Sequence, residues 1–254
     1  MKKQWNLKPK ADPKLIAQLQ ESLGVAKIVA QLLVQRGITD FKEAKSFFRP
    51  TYDQLHDPFL MKDMSFAVNR LEKALEQKEN ILIYGDYDVD GTTAVALMYS
   101  FLKSIHPNLA YYIPDRYSEG YGISFQGIDY AAQNNFSLII ALDCGIKAVD
   151  KVAYAQEKEI DFIICDHHRP GANVPKALAV LDPKQIDCKY PYKELSGCGV
   201  GFKLVQAYCQ KNNIAFEKIT HYLDLLVVSI AADIVPITGE NRVLAHYGLK
   251  QLST

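Results

Sequence analysis

Asn80-Ile-Leu-Ile-Tyr-Gly85 leads straight into Asp86-Tyr-Asp-Val-Asp-Gly91, and Thr92–Lys103 follows without a break. Ile81–Tyr84 is a short apolar run with no polar alternation, the pattern of a strand buried on both faces. Thr92–Lys103 carries apolar residues at helical spacing, so the acidic loop joins a strand to a helix.

The same grammar recurs downstream. Ala110–Ile113 reads as a second strand, followed by a glycine-containing turn over 119–122 and a helix near Gln126–Asn134. Leu138–Leu142 is a third strand, with a helix near Ala148–Lys158 after it, and Ile160–Cys165 is a fourth. Ala177–Leu181 makes a fifth, and Val200–Lys211 and Ile219–Ala232 read as helices. Apolar strands alternating with amphipathic helices predict an α/β fold, a parallel sheet with helices on both faces. Upstream the pattern is helical: Pro13–Leu23, Val25–Gln35 ending at Gly37, a short helix after Asp40 that Pro50 stops, and Phe66–Glu76. The expected division is an N-terminal helical region over 1–79 and an α/β domain over 80–254. Tyr247–Leu252 reads as a helix with no stop signal, so the chain is expected to be a piece of a longer polypeptide.

Composition bounds the function only loosely. Of 254 residues 48% are hydrophobic and 23% charged, with 29 basic against 29 acidic side chains, so net charge selects no partner, although a local basic stripe can hide inside a neutral total. Five cysteines without a CxxC pair point to a reducing, cytoplasmic compartment. The basic opening (Lys2, Lys3, Lys8, Lys10, Lys14) has no apolar stretch behind it, reading as a solvated tail rather than a signal peptide. No apolar run approaches the ~18 residues of a membrane span.

The chemistry lies where strands end. Ile81–Tyr84, Leu138–Leu142 and Ile160–Cys165 run into Asp86, Asp143 and Asp166, and in a parallel sheet these tips share one edge, where ligands bind. If Asp86, Asp88 and Asp90 are extended, their carboxylates share a face at ~6–7 Å. Charges at ~6.6 Å repel by roughly 2.5 kcal/mol at an effective dielectric of 20. A divalent cation relieves that repulsion. An EF-hand is excluded, because Leu97 stands where its twelfth-position glutamate belongs. His167 and His168 bring imidazole to the same edge, a donor set that suits Mn²⁺, Zn²⁺ or Fe²⁺ better than Ca²⁺ and that Mg²⁺ tolerates. Gly197-Cys-Gly-Val-Gly201 lacks the lysine–serine ending of a phosphate loop and reads as close backbone packing near the site.

Together these motifs resemble the DHH phosphoesterase superfamily. The resemblance rests on Asp86–Gly91, Asp143 in Leu142-Asp-Cys-Gly145, Asp166-His-His168, and Asp233 in Ala231-Ala-Asp-Ile-Val-Pro236. Pro114-Asp-Arg-Tyr-Ser-Glu-Gly-Tyr-Gly122, Ser196–Lys203 and Gly239–Arg242 resemble the single-strand-specific exonuclease branch. The resemblance implies Asp88, Asp90, Asp143, His167 and Asp233 as ligands of two Mn²⁺ or Mg²⁺ ions, with Asp143 between them and Asp86 completing one site or supporting it. It implies His168 at the scissile phosphate and Arg116 at a terminal phosphate, with Asp143, His168 and Asp86 as the catalytic group. Many relatives carry a histidine two residues before Asp86, where this chain has Tyr84, leaving the outer metal one nitrogen ligand fewer. The implied activity is 5′→3′ release of mononucleotides from single-stranded DNA in repair and recombination. Implied too are further C-terminal domains, a monomer off the membrane, and a single-strand-binding protein or helicase as partner. A phosphodiesterase acting on short oligonucleotides or cyclic dinucleotides would carry the same motifs, and an inactive binding subunit would keep the fold.

Overall fold

The computed structural model describes residues 4–253, so Lys2 and Lys3 lie outside the described residues. The chain forms two compact units, Met1–Tyr52 and Asp53–Thr254. Among its described residues the first holds three α-helices, α1 (Pro13–Leu23), α2 (Lys27–Val34) and α3 (Phe41–Phe48). Asp12 and Asp40 cap α1 and α3 by accepting from Lys14 N and Glu43 N. Ile16, Leu19, Ala30 and Leu33 form its buried core.

The second unit is built on a sheet. Its elements in order are α4 (Met64–Glu76), β1 (Asn80–Gly85), α5 (Val89–Lys103), β2 (Leu109–Tyr112), α6 (Phe125–Gln133), β3 (Phe136–Leu142), α7 (Val149–Glu157), β4 (Asp161–Cys165), β5 (Ala179–Leu181), α8 (Gly197–Lys211), α9 (Leu223–Ala232) and α10 (Gly239–Leu252). Packing therefore groups α4 with the sheet, and the compact units part at 52/53 rather than at the expected 79/80, where the strand pattern starts. The region expected as one helix over 219–232 opens with a short 3₁₀ turn, Thr220–Tyr222, before α9 begins.

The five strands are all parallel, in the order β2-β1-β3-β4-β5. Strand pleating sends alternate residues to opposite faces. Leu82, Tyr84, Ile139, Ala141, Phe162 and Ile164 face α6 and α7 in one continuous core. The other face is covered by α5 and α8, with α4 against β5 and α9 against α5. Both faces are thus closed, as the unbroken apolar runs require. The chain leaves β1 for β2 on one side and returns to β3 on the other, so the carboxyl ends of β1 and β3 flank a topological switch point, where open α/β sheets leave a crevice.

Candidate metal centre at the strand tips

Asp86 directly follows β1, Asp143 follows β3 and Asp166 follows β4. Helices bring the rest to the same edge. Asp88 caps α5 by accepting from Gly91 N at 2.9 Å, Asp90 sits in the first turn of α5, and Asp233 caps the carboxyl end of α9. Three groups of donor atoms result, each with its atoms within 4.8 Å of one another: Asp86 with Asp88 and Asp143; Asp90 with His167 and Asp233; and Asp143 with His167 and His168. Asp143 and His167 each belong to two groups, so the set forms one continuous centre.

The extended arrangement expected for Asp86, Asp88 and Asp90 is corrected here. The helix begins at Val89, and side chains in a helix advance by about 100° per residue instead of alternating. Asp90 therefore turns away from Asp86 and Asp88 and joins the second group. Gly91 is needed because a Cβ there would lie 2.5 Å from the Asp86 carbonyl oxygen, so only glycine lets α5 start this close to β1.

Each group is held by identifiable bonds. The amino end of α8 closes over Asp90: Gly197 N donates to Oδ2 at 2.7 Å and Cys198 N to Oδ1 at 2.8 Å, with Ser229 Oγ donating to Oδ1 at 2.7 Å. Two free N–H groups and the helix dipole favour an anion there, and the anion is this chain's own carboxylate. A Cβ on Gly197 would fall 2.4 Å from Asp143 Oδ1, so the glycine segment serves close packing, as its sequence suggested. Asp166 belongs to none of the three donor groups; it is a bracket. Its Oδ2 accepts from Ile146 N, and its Oδ1 accepts from His167 N, His168 N and His168 Nδ1. His167 Nδ1 donates to Leu195 O at 3.0 Å. That bond selects the tautomer with a lone pair on Nε2, which points at Asp143 Oδ1, Asp233 Oδ2 and Asp90 Oδ2 at 3.2, 3.6 and 3.7 Å.

The electrostatics are unfavourable as they stand. Asp86 and Asp143 are 0% and 1% exposed, and both oxygens of Asp86, Oδ1 of Asp143 and Nε2 of His167 lack hydrogen-bond partners. Two carboxylates within 4.8 Å repel by about 3.5 kcal/mol at an effective dielectric of 20. Burial, then the charges of Asp90, Asp88 and Asp166, push the Asp143 carboxyl up to about 10. Burial also raises Asp86 and Asp233. The bond to Asp166 raises His168, favouring its cationic form. Asp143 also has φ +59°, a backbone state disfavoured for any residue with a Cβ. Strain, burial and like charge at one residue mark a functional site.

Residues 80–230 match the family model described as DHH family, N-terminal domain. The chain belongs to the DHH family. Over 251 residues, 99% of this chain and 31% of the relative, the DHH chain is 40% identical to the single-stranded-DNA-specific exonuclease RecJ of Bacillus subtilis (strain 168). It therefore spans about a third of that relative's length. A crystal structure of exonuclease RecJ bound to manganese aligns with a TM-score of 0.69 at 31% identity, covering 78% of this chain and 49% of that one. RecJ from Thermus thermophilus in complex with Mn²⁺ aligns with a TM-score of 0.79 at 26% identity, covering 95% and 34%.

Two sequence-named residues stand outside the DHH centre. Arg116 lies on the exposed segment after β2, its guanidinium carbon 4.6 Å from the centre of the Tyr87 ring. Tyr84 is fully buried; its hydroxyl donates to Gly122 O and accepts from Ser124 N, both at 3.0 Å, so it serves the loop carrying Arg116. Sequence reasoning missed Ser229, whose partner Asp90 is 139 residues away. It also missed Asp182 at the tip of β5, buried with Oδ2 unpartnered and pushed by burial up to about 7. Leu181-Asp182 repeats the apolar-run-into-Asp pattern and was there to be read. Beside His168 a cleft of about 220 Å³ is lined in part by Tyr121, Ile146, Lys147 and Lys151, a local basic lining in a chain of zero net charge.

Proposed function

We propose that this chain is the catalytic part of a metal-dependent nuclease that hydrolyses single-stranded DNA from its 5′ end, releasing mononucleotides, with two Mn²⁺ or Mg²⁺ ions as cofactors. The observation that carries this reading is the set of unpartnered donors: four buried atoms of Asp86, Asp143 and His167 have no hydrogen-bond partner, and Asp143 shares one donor group with Asp86 and another with His167. Burying polar groups without partners is costly, and a carboxylate–imidazole set is the donor chemistry of Mn²⁺-type ions, so the residues fit the cofactor. The manganese in the two RecJ relatives supports the same choice. Asp86, Asp88 and Asp143 would hold one ion, Asp90, His167, Asp233 and Asp143 the other, with Asp143 shared.

The chemistry such ions supply is Lewis acidity, which makes water nucleophilic near neutral pH and offsets charge on a phosphodiester. The protein's own groups do the rest. The α8 amino end and Ser229 hold the Asp90 carboxylate in place, and Leu195 O holds His167 in the tautomer that presents Nε2. His168, braced by Asp166 in a bond that favours its cationic form, is placed to stabilise charge on a non-bridging phosphate oxygen. Arg116 offers a planar fork suited to a terminal phosphate. Lys147 and Lys151 supply positive charge beside the centre. The five cysteines are free and buried, which suits a reducing cytoplasm.

The test is Mn²⁺-dependent digestion of long single-stranded DNA labelled at either end, beside duplex DNA, RNA, a linear dinucleotide and a cyclic dinucleotide. Release of labelled mononucleotide from the 5′ end of single strands is the expected result. Hydrolysis of dinucleotides alone would reassign the substrate, and DNA binding without turnover would leave only a binding subunit.

A further inference from the structure

Four side chains run in an unbroken line from the exposed loop after β2 to the tip of β4. The Arg116 guanidinium lies over the Tyr87 ring. Tyr87 meets Tyr121 edge-on, with ring centres 6.2 Å apart and planes at 85°. Tyr121 meets His168 edge-on at 6.2 Å and 87°, and its hydroxyl lies 3.3 Å from His168 Nε2. His168 is anchored in turn on Asp166, which is 1% exposed. One end of the line is rooted in the core and the other is a solvent-exposed arginine.

How Arg116 is held matters as much as where. A carboxylate partner would occupy its N–H fork; an aromatic face holds the cation from below and leaves the in-plane donors open. Such an arginine is pre-organised for bidentate contact with a phosphate and loses less side-chain freedom when it binds. Tyr87, flanked by Asp86 and Asp88, has its backbone tied to the centre itself, and Tyr121 backs its ring. We propose that Tyr87 is a positioning residue for end recognition: with Tyr121 behind it, it holds Arg116 at a set distance from His168, so that strands carrying a terminal phosphate are preferred over strands ending in hydroxyl. This rests on the reading of Arg116 and His168 as phosphate contacts.

The experiment measures Kd by fluorescence anisotropy, in Mn²⁺, for oligo(dT) with hydrolysis-resistant phosphorothioate linkages and either a 5′-phosphate or a 5′-hydroxyl. The readout is the ratio of the two Kd values, which a general loss of stability does not move. Arg116→Ala should bring the ratio to one. Tyr87→Leu should lower it about two- to fivefold, the strength of an exposed cation–π contact, and Tyr87→Phe should keep it. Tyr121→Leu should lower the ratio and Tyr121→Phe preserve it, because the ring and not the hydroxyl backs Tyr87; this pair decides the matter if Tyr87→Leu folds poorly. In an Arg116→Ala background Tyr87→Leu should have no further effect. An unchanged ratio in Tyr87→Leu and Tyr121→Leu, with Arg116→Ala at one, overturns the proposal and leaves the nuclease reading standing. A ratio of one in the unaltered chain, or one indifferent to Arg116→Ala, removes the phosphate role of Arg116 and the proposal with it.

Discussion

Replacing Asp143 by asparagine should stabilise the metal-free protein, and by an amount that grows with pH. The unfolded carboxyl titrates near 3.8, and burial among Asp90, Asp88 and Asp166 pushes the folded one up to about 10. Between those values the folded state holds a proton that the unfolded state has released. Stability from this group is therefore fully present below 3.8 and drains away as pH rises towards 10, at about 1.4 kcal/mol per pH unit. Asparagine has nearly the same shape and cannot ionise, so it removes that slope. From about pH 5.5 to about pH 8 the advantage of Asp143→Asn over the unaltered chain should grow by roughly 3 kcal/mol. For a chain of this size that is roughly 6–12 °C in melting temperature. The assay is thermal unfolding of both proteins in EDTA at the two pH values. Mn²⁺ should then reverse the order: at a hundred times Kd the unaltered chain gains about 2.7 kcal/mol, while the variant, missing the shared carboxylate, gains little. An advantage that does not change with pH, or a variant less stable than its parent at pH 8 in EDTA, would refute the account of like charges confined in a buried centre.

Gly197→Ala places a methyl group 2.4 Å from Asp143 Oδ1, so α8 must shift; Mn²⁺ affinity by calorimetry should fall at least tenfold, about 1.4 kcal/mol, and unchanged affinity would show that α8 does not shape the centre. Lys203 and Glu240 are both 0% exposed and paired at 2.5 Å, with His56 N and Tyr190 Oη donating to the same carboxylate. Lys203→Met strands that charge and should cost about 3–5 kcal/mol in denaturant unfolding, with Mn²⁺ affinity intact; a loss below about 1 kcal/mol would mean the pair is solvated in solution.

Much of this was legible in the sequence because it depends on local pattern. Apolar runs too short for helices, separated by amphipathic segments, leave a covered parallel sheet as the economical arrangement. Parallel strands must present their carboxyl ends along one edge, so acids after β1, β3 and β4 had to be neighbours whatever the details. The Asp-Xaa-Asp-Xaa-Asp spacing announced a charge cluster, and the paired histidines its donor chemistry.

What tertiary structure decided is the division of labour within that edge. One turn of helix starting at Val89 sends Asp90 to a different group from Asp86 and Asp88. The partners that settle it, Gly197 and Cys198 on α8 and Ser229 on α9, lie 107 to 139 residues away. Asp166, named by its motif beside His167 and His168, proves to be the bracket that orients them. Tyr84, two residues before Asp86, is spent on Gly122 and Ser124. Periodicity reports which face of its own element a residue occupies. Hydrogen-bond partners, burial and pKa depend on which distant segment packs against that face, and only the folded chain brings the two together.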